Sequence, residues 1–204
     1  MSGITASGEN KAWEILATLD PQDVCKTASV LSDPASGSYL VKSYGMDFFV
    51  SLKEKSIFSK APDSGVLLQR LGDFFRLSLL WYLVNARDVP CTGRLVKLQN
   101  VRGGEIFTQG SHVLPLEKVA QKYGNDKNAF IEKGKKLGGV VLEKYGDASV
   151  RLLPMPRLPV IVTLWITDEE FPARADLMLD STCEMQLPTD IIWSIAMMTV
   201  MIML

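Results

Sequence analysis

One histidine, His112, and three cysteines are all that the 204 residues offer in conventional metal and thiol chemistry. Cys25, Cys91 and Cys183 are odd in number, far apart and never in a C-x-x-C pair. That spacing argues against a disulfide framework, and against a zinc or iron–sulfur site made by this chain alone. A single imidazole excludes a histidine-rich metal site. Charge of one sign is missing as well. The 22 Lys and Arg against 23 Asp and Glu leave a formal net charge of −1. Binding along a phosphate backbone needs an excess of cations, so no nucleic-acid partner is expected. The first twenty residues hold no basic stretch followed by an apolar run, so no secretory leader is read, and thiols left free fit a cytoplasmic location. No apolar run reaches the roughly 20 residues of a membrane span. The nearest is Ile191–Leu204, uncharged throughout. As a helix it is about 21 Å long, short of a hydrocarbon core of about 30 Å. It reads as a buried core helix, with a partner-binding or dimer-forming tail as the alternative. The phosphate-cradling and dinucleotide glycine fingerprints are missing too, and no serine sits in a G-x-S-x-G elbow.

Helical and strand signals alternate without a regular β-α-β period, so the expected class is α+β. Residues 9–19 read as a helix closed at Asp20-Pro21, with a second short helix opening at Pro21. The turn-forming stretch SDPASGS from Ser32 divides an N-terminal helical segment, 1–31, from a single α+β domain, 32–204. Tyr39–Tyr44 and Phe48–Lys53 alternate in polarity around Gly45 and predict a β-hairpin, with a short third strand at Ser56–Phe58. Residues 65–86 are apolar on nearly every side apart from Gln69, Asp73 and Arg76, which predicts a long central helix. Gly93–Leu98 and Glu105–Thr108 look like strands joined by a tight Arg102-Gly103-Gly104 turn. Pro115–Lys136 predicts two helices broken at Gly124-Asn125, their lysines forming a solvated face or a basic docking patch. Ser149–Leu153 and Pro159–Ile166 are strand candidates, and the intervening LLPMPRLP reads as a rigid extended crossing. VIVTLWI, apolar on both faces, predicts a central strand. Asp176–Asp180 is one more strand, and Pro188 opens the last helix. The architecture expected is a mixed or antiparallel sheet packed on the central and C-terminal helices.

The unusual chemistry gathers between Tyr82 and Pro115. His112 lies in a Gly/Pro-framed turn, where loop side chains are aimed into pockets. One imidazole suffices as axial ligand to a corrinoid or haem metal, so His112 is the candidate metal contact. Arg102, Gly103 and Gly104 can present backbone N–H groups and a guanidinium to an anion. Cys91 becomes reactive if Arg87 or Arg94 depresses its pKa. Asp168, Glu169 and Glu170 at a strand end are candidate acid–base partners for His112, the basis of an enzyme reading.

YLVNARDVPCTG, the strand RLVKL, the turn RGGEIF, GSHVLPL, Leu137-Gly138-Gly139, LLPMPRLPVIVTLWITDEEFPARADLMLD and the final LPTD occur in an order that resembles a family of uncharacterised domains of anaerobic bacteria and archaea. The resemblance covers roughly Ala28 to Leu204. Some members carry a four-cysteine iron–sulfur module. This chain has only Cys25 near its N-terminus, so no intrinsic cluster is expected. The resemblance implies an accessory role in anaerobic redox or corrinoid metabolism, beside a redox or corrinoid protein partner. Taken together, the expectation is a cytosolic, non-catalytic binding domain holding a small ligand near His112, Arg102 and Cys91. The alternatives are an enzyme built on His112 and an interaction module built on the last helix.

Overall fold

The computed structural model describes residues 2–204 and has the α+β composition expected from the sequence, with two antiparallel sheets rather than one. The first is a meander of β1 (Leu31–Asp33), β2 (Ser38–Ser43), β3 (Met46–Ser51) and β4 (Ser56–Phe58). The second has the order β5-β9-β8-β7-β6, from β5 (Leu95–Lys97), β6 (Val140–Leu142), β7 (Ala148–Met155), β8 (Leu158–Trp165) and β9 (Arg174–Asp180). β8 holds the centre, as its two-sided apolar sequence requires. The backbone N–H of Tyr44 donates to Leu153 O at 2.8 Å and joins the sheets.

Seven α-helices complete the described residues: α1 (Ser2–Leu16), α2 (Pro21–Ala28), α3 (Gly72–Asn85), α4 (Leu116–Tyr123), α5 (Lys127–Lys136), α6 (Cys183–Gln186) and α7 (Thr189–Met203). Pro21 is the first residue of α2, and the Asp20 carboxylate accepts from the N–H groups of Gln22 and Asp23 as its N-cap. α3 and α7 pack together and carry the interior. Phe75, Leu79, Leu80 and Leu83 of α3 are buried with Ile191, Ile192, Ile195, Met198 and Val200 of α7. Each such aliphatic side chain contributes about 1.5–3 kcal/mol by leaving water. The apolar run of α7 is therefore inside the domain, not a sticky tail. Among the described residues no helix is long and apolar enough to cross a membrane.

Three local expectations are corrected. The central helix starts at Gly72, not at 65. Before it lies a 3₁₀ turn at Pro62–Ser64 and a π-turn at Val66–Arg70, closed by Leu71 N–H donating to Val66 O at 2.9 Å. The wider turn buries Leu67 and Leu71 together and swings Arg70 outward. Glu105–Thr108 is a 3₁₀ turn, so Arg102-Gly103-Gly104 is not a hairpin connection. LLPMPRLP is not a rigid crossing: it closes the β7–β8 hairpin around Pro156 and Arg157. Pro154 and Pro159 cannot donate to the ladder, and the register slips between Leu152 and Met155 where they sit.

Candidate functional site

Between β5 and α4 the chain runs through three short 3₁₀ turns, Leu98–Asn100, Gly104–Thr108 and Gly110–His112. Such a segment keeps its shape only if pinned. Leu98, Val101 and Phe107 are its buried anchors. Gly103 takes φ +75°, the left-handed region that glycine enters without steric cost. A Cβ on Gly104 would lie 2.1 Å from Leu98 O, so that position admits no side chain. Two hydrogen bonds then tie the loop to the following elements. Arg102 N–H donates to Glu184 Oε1 of α6 at 2.7 Å, and Thr189 Oγ1 of α7 donates to Arg102 O at 2.8 Å.

At the far end of the loop the indole N–H of Trp193 donates to His112 O at 2.7 Å. The imidazole is exposed and meets the Trp193 ring edge-on, centroids 5.4 Å apart. Phe107 stacks on Trp193 at 5.9 Å with 22° between the planes and lies 6.2 Å from His112. Phe74 of α3 meets Trp193 at 5.9 Å. Such ring pairs each contribute about 0.5–1.5 kcal/mol beyond burial. The result is an aromatic platform with its orientation fixed by the α7 backbone. Beside it is an open cleft of about 500 Å³, lined by Arg102, Gly103, Phe107, His112, Asp190 and Trp193 among others. Arg102 forms no ion pair among the described residues.

The geometry thus brings together His112, Arg102 and Gly103, and places Gly104 beneath them. It does not bring Cys91. That thiol precedes β5 in the chain, its Sγ 3.8 Å from Arg157 O, next to the loop closed by Asp180. The condition for a reactive thiol is not met: burial raises its pKa, and the Asp180 carboxylate raises it further. Asp168 is equally remote. Its Oδ1 accepts from the N–H groups of Glu170 and Phe171 at 2.9 and 2.7 Å, closing a turn beside a separate cleft with Trp165 and Arg174. Glu169 and Glu170 are exposed and line neither cleft. The acid that does share the histidine's cleft is Asp190.

A family model described as "Domain of unknown function (DUF3786)" matches residues 20–201. The chain belongs to the DUF3786 family. No curated protein and no solved structure matches it. The DUF3786 match begins at the N-cap of α2 and runs into α7, so both sheets and the aromatic cleft lie inside the family's domain, and all of α1 lies before it.

Within this DUF3786 chain, Phe107, Asp190 and Trp193 are the site residues that sequence reasoning missed. Trp193 was hidden inside an apolar run that reads as core. The available signal was its neighbour: Asp190 is the one charge in the last helix and marks the end of α7 that meets the loop. Among the described residues no group of three or more His, Cys, Asp and Glu converges on a metal-sized site.

Proposed function

We propose that this domain is a non-catalytic binding or accessory module of the cytoplasm, and that its ligand lies on the platform of Phe107, His112 and Trp193. The supporting observation is a ring cluster clamped by the Trp193–His112 hydrogen bond, with Arg102, in no ion pair among the described residues, lining the same cleft. A pinned aromatic wall with one cation beside it suits a planar conjugated ligand carrying an anionic group. Flat faces gain dispersion and desolvation from stacking, and the guanidinium adds a charge-assisted contact.

In its narrower form the ligand is a corrinoid or haem. The residues fit that group at one point, an exposed imidazole carried on a pinned loop, and His112 would be the residue that holds the metal. The bound metal would supply redox or group-carrying chemistry to a protein partner. This chain's part is to orient the ring against Trp193 and to offer Arg102 to an acidic substituent.

Titration with haemin and with aquocobalamin, followed by their visible absorption bands and by tryptophan fluorescence, tests both forms. Expected is a saturable band shift that His112→Ala removes. Fluorescence quenching should persist in that variant and weaken in Trp193→Phe. A shift unchanged by His112→Ala overturns the metal contact. If these probes and 2-naphthoate all fail to perturb the protein, the platform is not a ligand site.

A further inference from the structure

A second cavity, of about 210 Å³, lies away from the aromatic cleft, where the Pro62–Arg70 turns, the end of α5 and the end of α7 meet. Its charged side chains are Arg70, Lys133, Lys136 and Asp63, three cations against one carboxylate, and Leu204 also lines it. The remaining wall is apolar, with Val66, Leu137 and Ile202 among its members.

Most of the positive charge has a structural partner. Arg70 Nη2 donates to Met201 O at 2.8 Å, and Lys122, just outside the cavity, donates to Leu204 O. The first satisfies a carbonyl in the last turn of α7 and the second an oxygen of the residue just after it, where the helix dipole favours cations. Lys136 pairs with Asp63 at 3.5 Å. Lys133 is different. It is half-buried, lines the cavity, and forms no ion pair among the described residues. Its ammonium is held below the ordinary lysine pKa by burial first, then by Lys122, Lys136 and Arg70, with Asp63 pulling the other way. A cation kept in such company without a counter-charge is costly unless an anion joins it.

Size and walls restrict that anion. Aliphatic side chains line the space behind the charges, and a cavity this small excludes a nucleotide. The α-helix ends that border it, those of α5 and α7, are C-terminal, with Gly134 O and Lys133 O already turned to the Leu137 N–H. C-terminal ends carry partial negative charge and offer no free N–H groups, which disfavours a phosphate dianion. We infer that the cavity binds a small monocarboxylate with a short aliphatic tail, the carboxylate on Lys133 and the tail against Val66 and Ile202.

Calorimetric titration of the full chain with hexanoate, and separately with inorganic phosphate, tests this. Expected is saturable 1:1 binding of hexanoate that weakens as salt is raised, with phosphate binding at least about tenfold weaker. Lys133→Met keeps the length of the side chain and removes the charge. It should lower hexanoate affinity at least about tenfold, the loss of one charge-assisted contact. Its unfolding midpoint should stay equal or rise, because a crowded cation is gone. Lys133→Gln provides the same comparison with a polar replacement. No hexanoate binding, equal binding by the Lys133 variants, or phosphate binding as tight as hexanoate would each overturn the assignment.

Discussion

The hydroxyls of Tyr44 and Thr199, 155 residues apart in sequence, meet at 2.7 Å in the buried interior. Thr199 Oγ1 also donates to Ile195 O at 2.7 Å, so the shared proton comes from Tyr44. Burial pushes the Tyr44 phenol well above the ordinary tyrosine pKa, and it remains a donor at every accessible pH. The pair ties the β2–β3 turn to α7. Its two halves are unequal. Tyr44→Phe leaves Thr199 with its carbonyl partner and should cost about 0.5–1.5 kcal/mol. Thr199→Val leaves a buried phenol with no acceptor and should cost about 1–3 kcal/mol. Urea unfolding of the two variants checks the order.

Gly45 and Gly138 touch backbone to backbone. A Cβ on Gly138 would lie 2.6 Å from the Cα of Gly45, and the two take φ +69° and +76°. Gly138→Ala therefore incurs left-handed strain and a clash with main chain that cannot rotate away. The expected loss is about 2–4 kcal/mol. Thermal unfolding should show a fall in midpoint larger than for Gly37→Ala, where positive φ is present but the space is open.

Asp180 closes the loop after β9 on the loop before β5. Its carboxylate accepts from the N–H groups of Gly93, Thr182 and Thr92 at 2.7, 3.0 and 3.2 Å. Burial alone would raise its pKa, but these hydrogen bonds outweigh burial and hold it below the ordinary aspartate value of 3.8. A lowered folded-state pKa contributes stability that is present above the unfolded value and lost as pH falls through the folded one. Asp180→Asn should cost about 1–3 kcal/mol at pH 7. The difference from wild type should shrink once the pH is taken below 3.8. Unfolding curves at pH 7 and at pH 3 give both numbers.

The three thiols should separate in a labelling experiment. Cys91 is exposed, Cys25 half-buried and Cys183 fully buried. Burial pushes the Cys183 thiol up to about 12. Alkylation at pH 8 should reach Cys91 first, yet more slowly than a free thiol, because its own pKa is raised. Cys183 should label only on unfolding. Mass spectrometry of a time course resolves the order, and fast labelling of Cys183 would contradict its burial.

The sequence was readable where one physical signal acted alone. Two-sided apolar character placed β8 at the centre of its sheet, Pro21 opened α2, and the turn at Gly45 closed a hairpin on schedule. It was misread where signals competed. Pro154, Pro156 and Pro159 suggested an extended crossing, but the strands on each side pair strongly enough to absorb the prolines as a slip in register. Gly65 and Leu67–Leu71 carry helical periodicity, but burying Leu67 and Leu71 together required one wider turn. The loop around His112 has no periodicity at all, because its shape is set by bonds to Glu184, Thr189 and Trp193, each about eighty residues away. His112, Arg102 and Gly103 were legible by residue type; the absence of Cys91 and Asp168 from their cleft was not, since tertiary contacts decide it: Cys91 sits against Arg157 O and Asp168 closes its own turn.

The position of α7 has a consequence for biosynthesis. It lies late along the chain, yet it is wrapped by α3, the connections near Leu98, and the helices α4 and α5. A nascent polypeptide emerging from the ribosome can form the β2–β3 hairpin, α3 and the β7–β8 hairpin early, but the face of α3 that meets α7 stays uncovered until Met203 has cleared the exit tunnel. Throughout that interval the growing chain carries bare apolar surface, so its yield in cells should depend on how fast synthesis passes from α3 to α7 and on chaperones that shield it meanwhile.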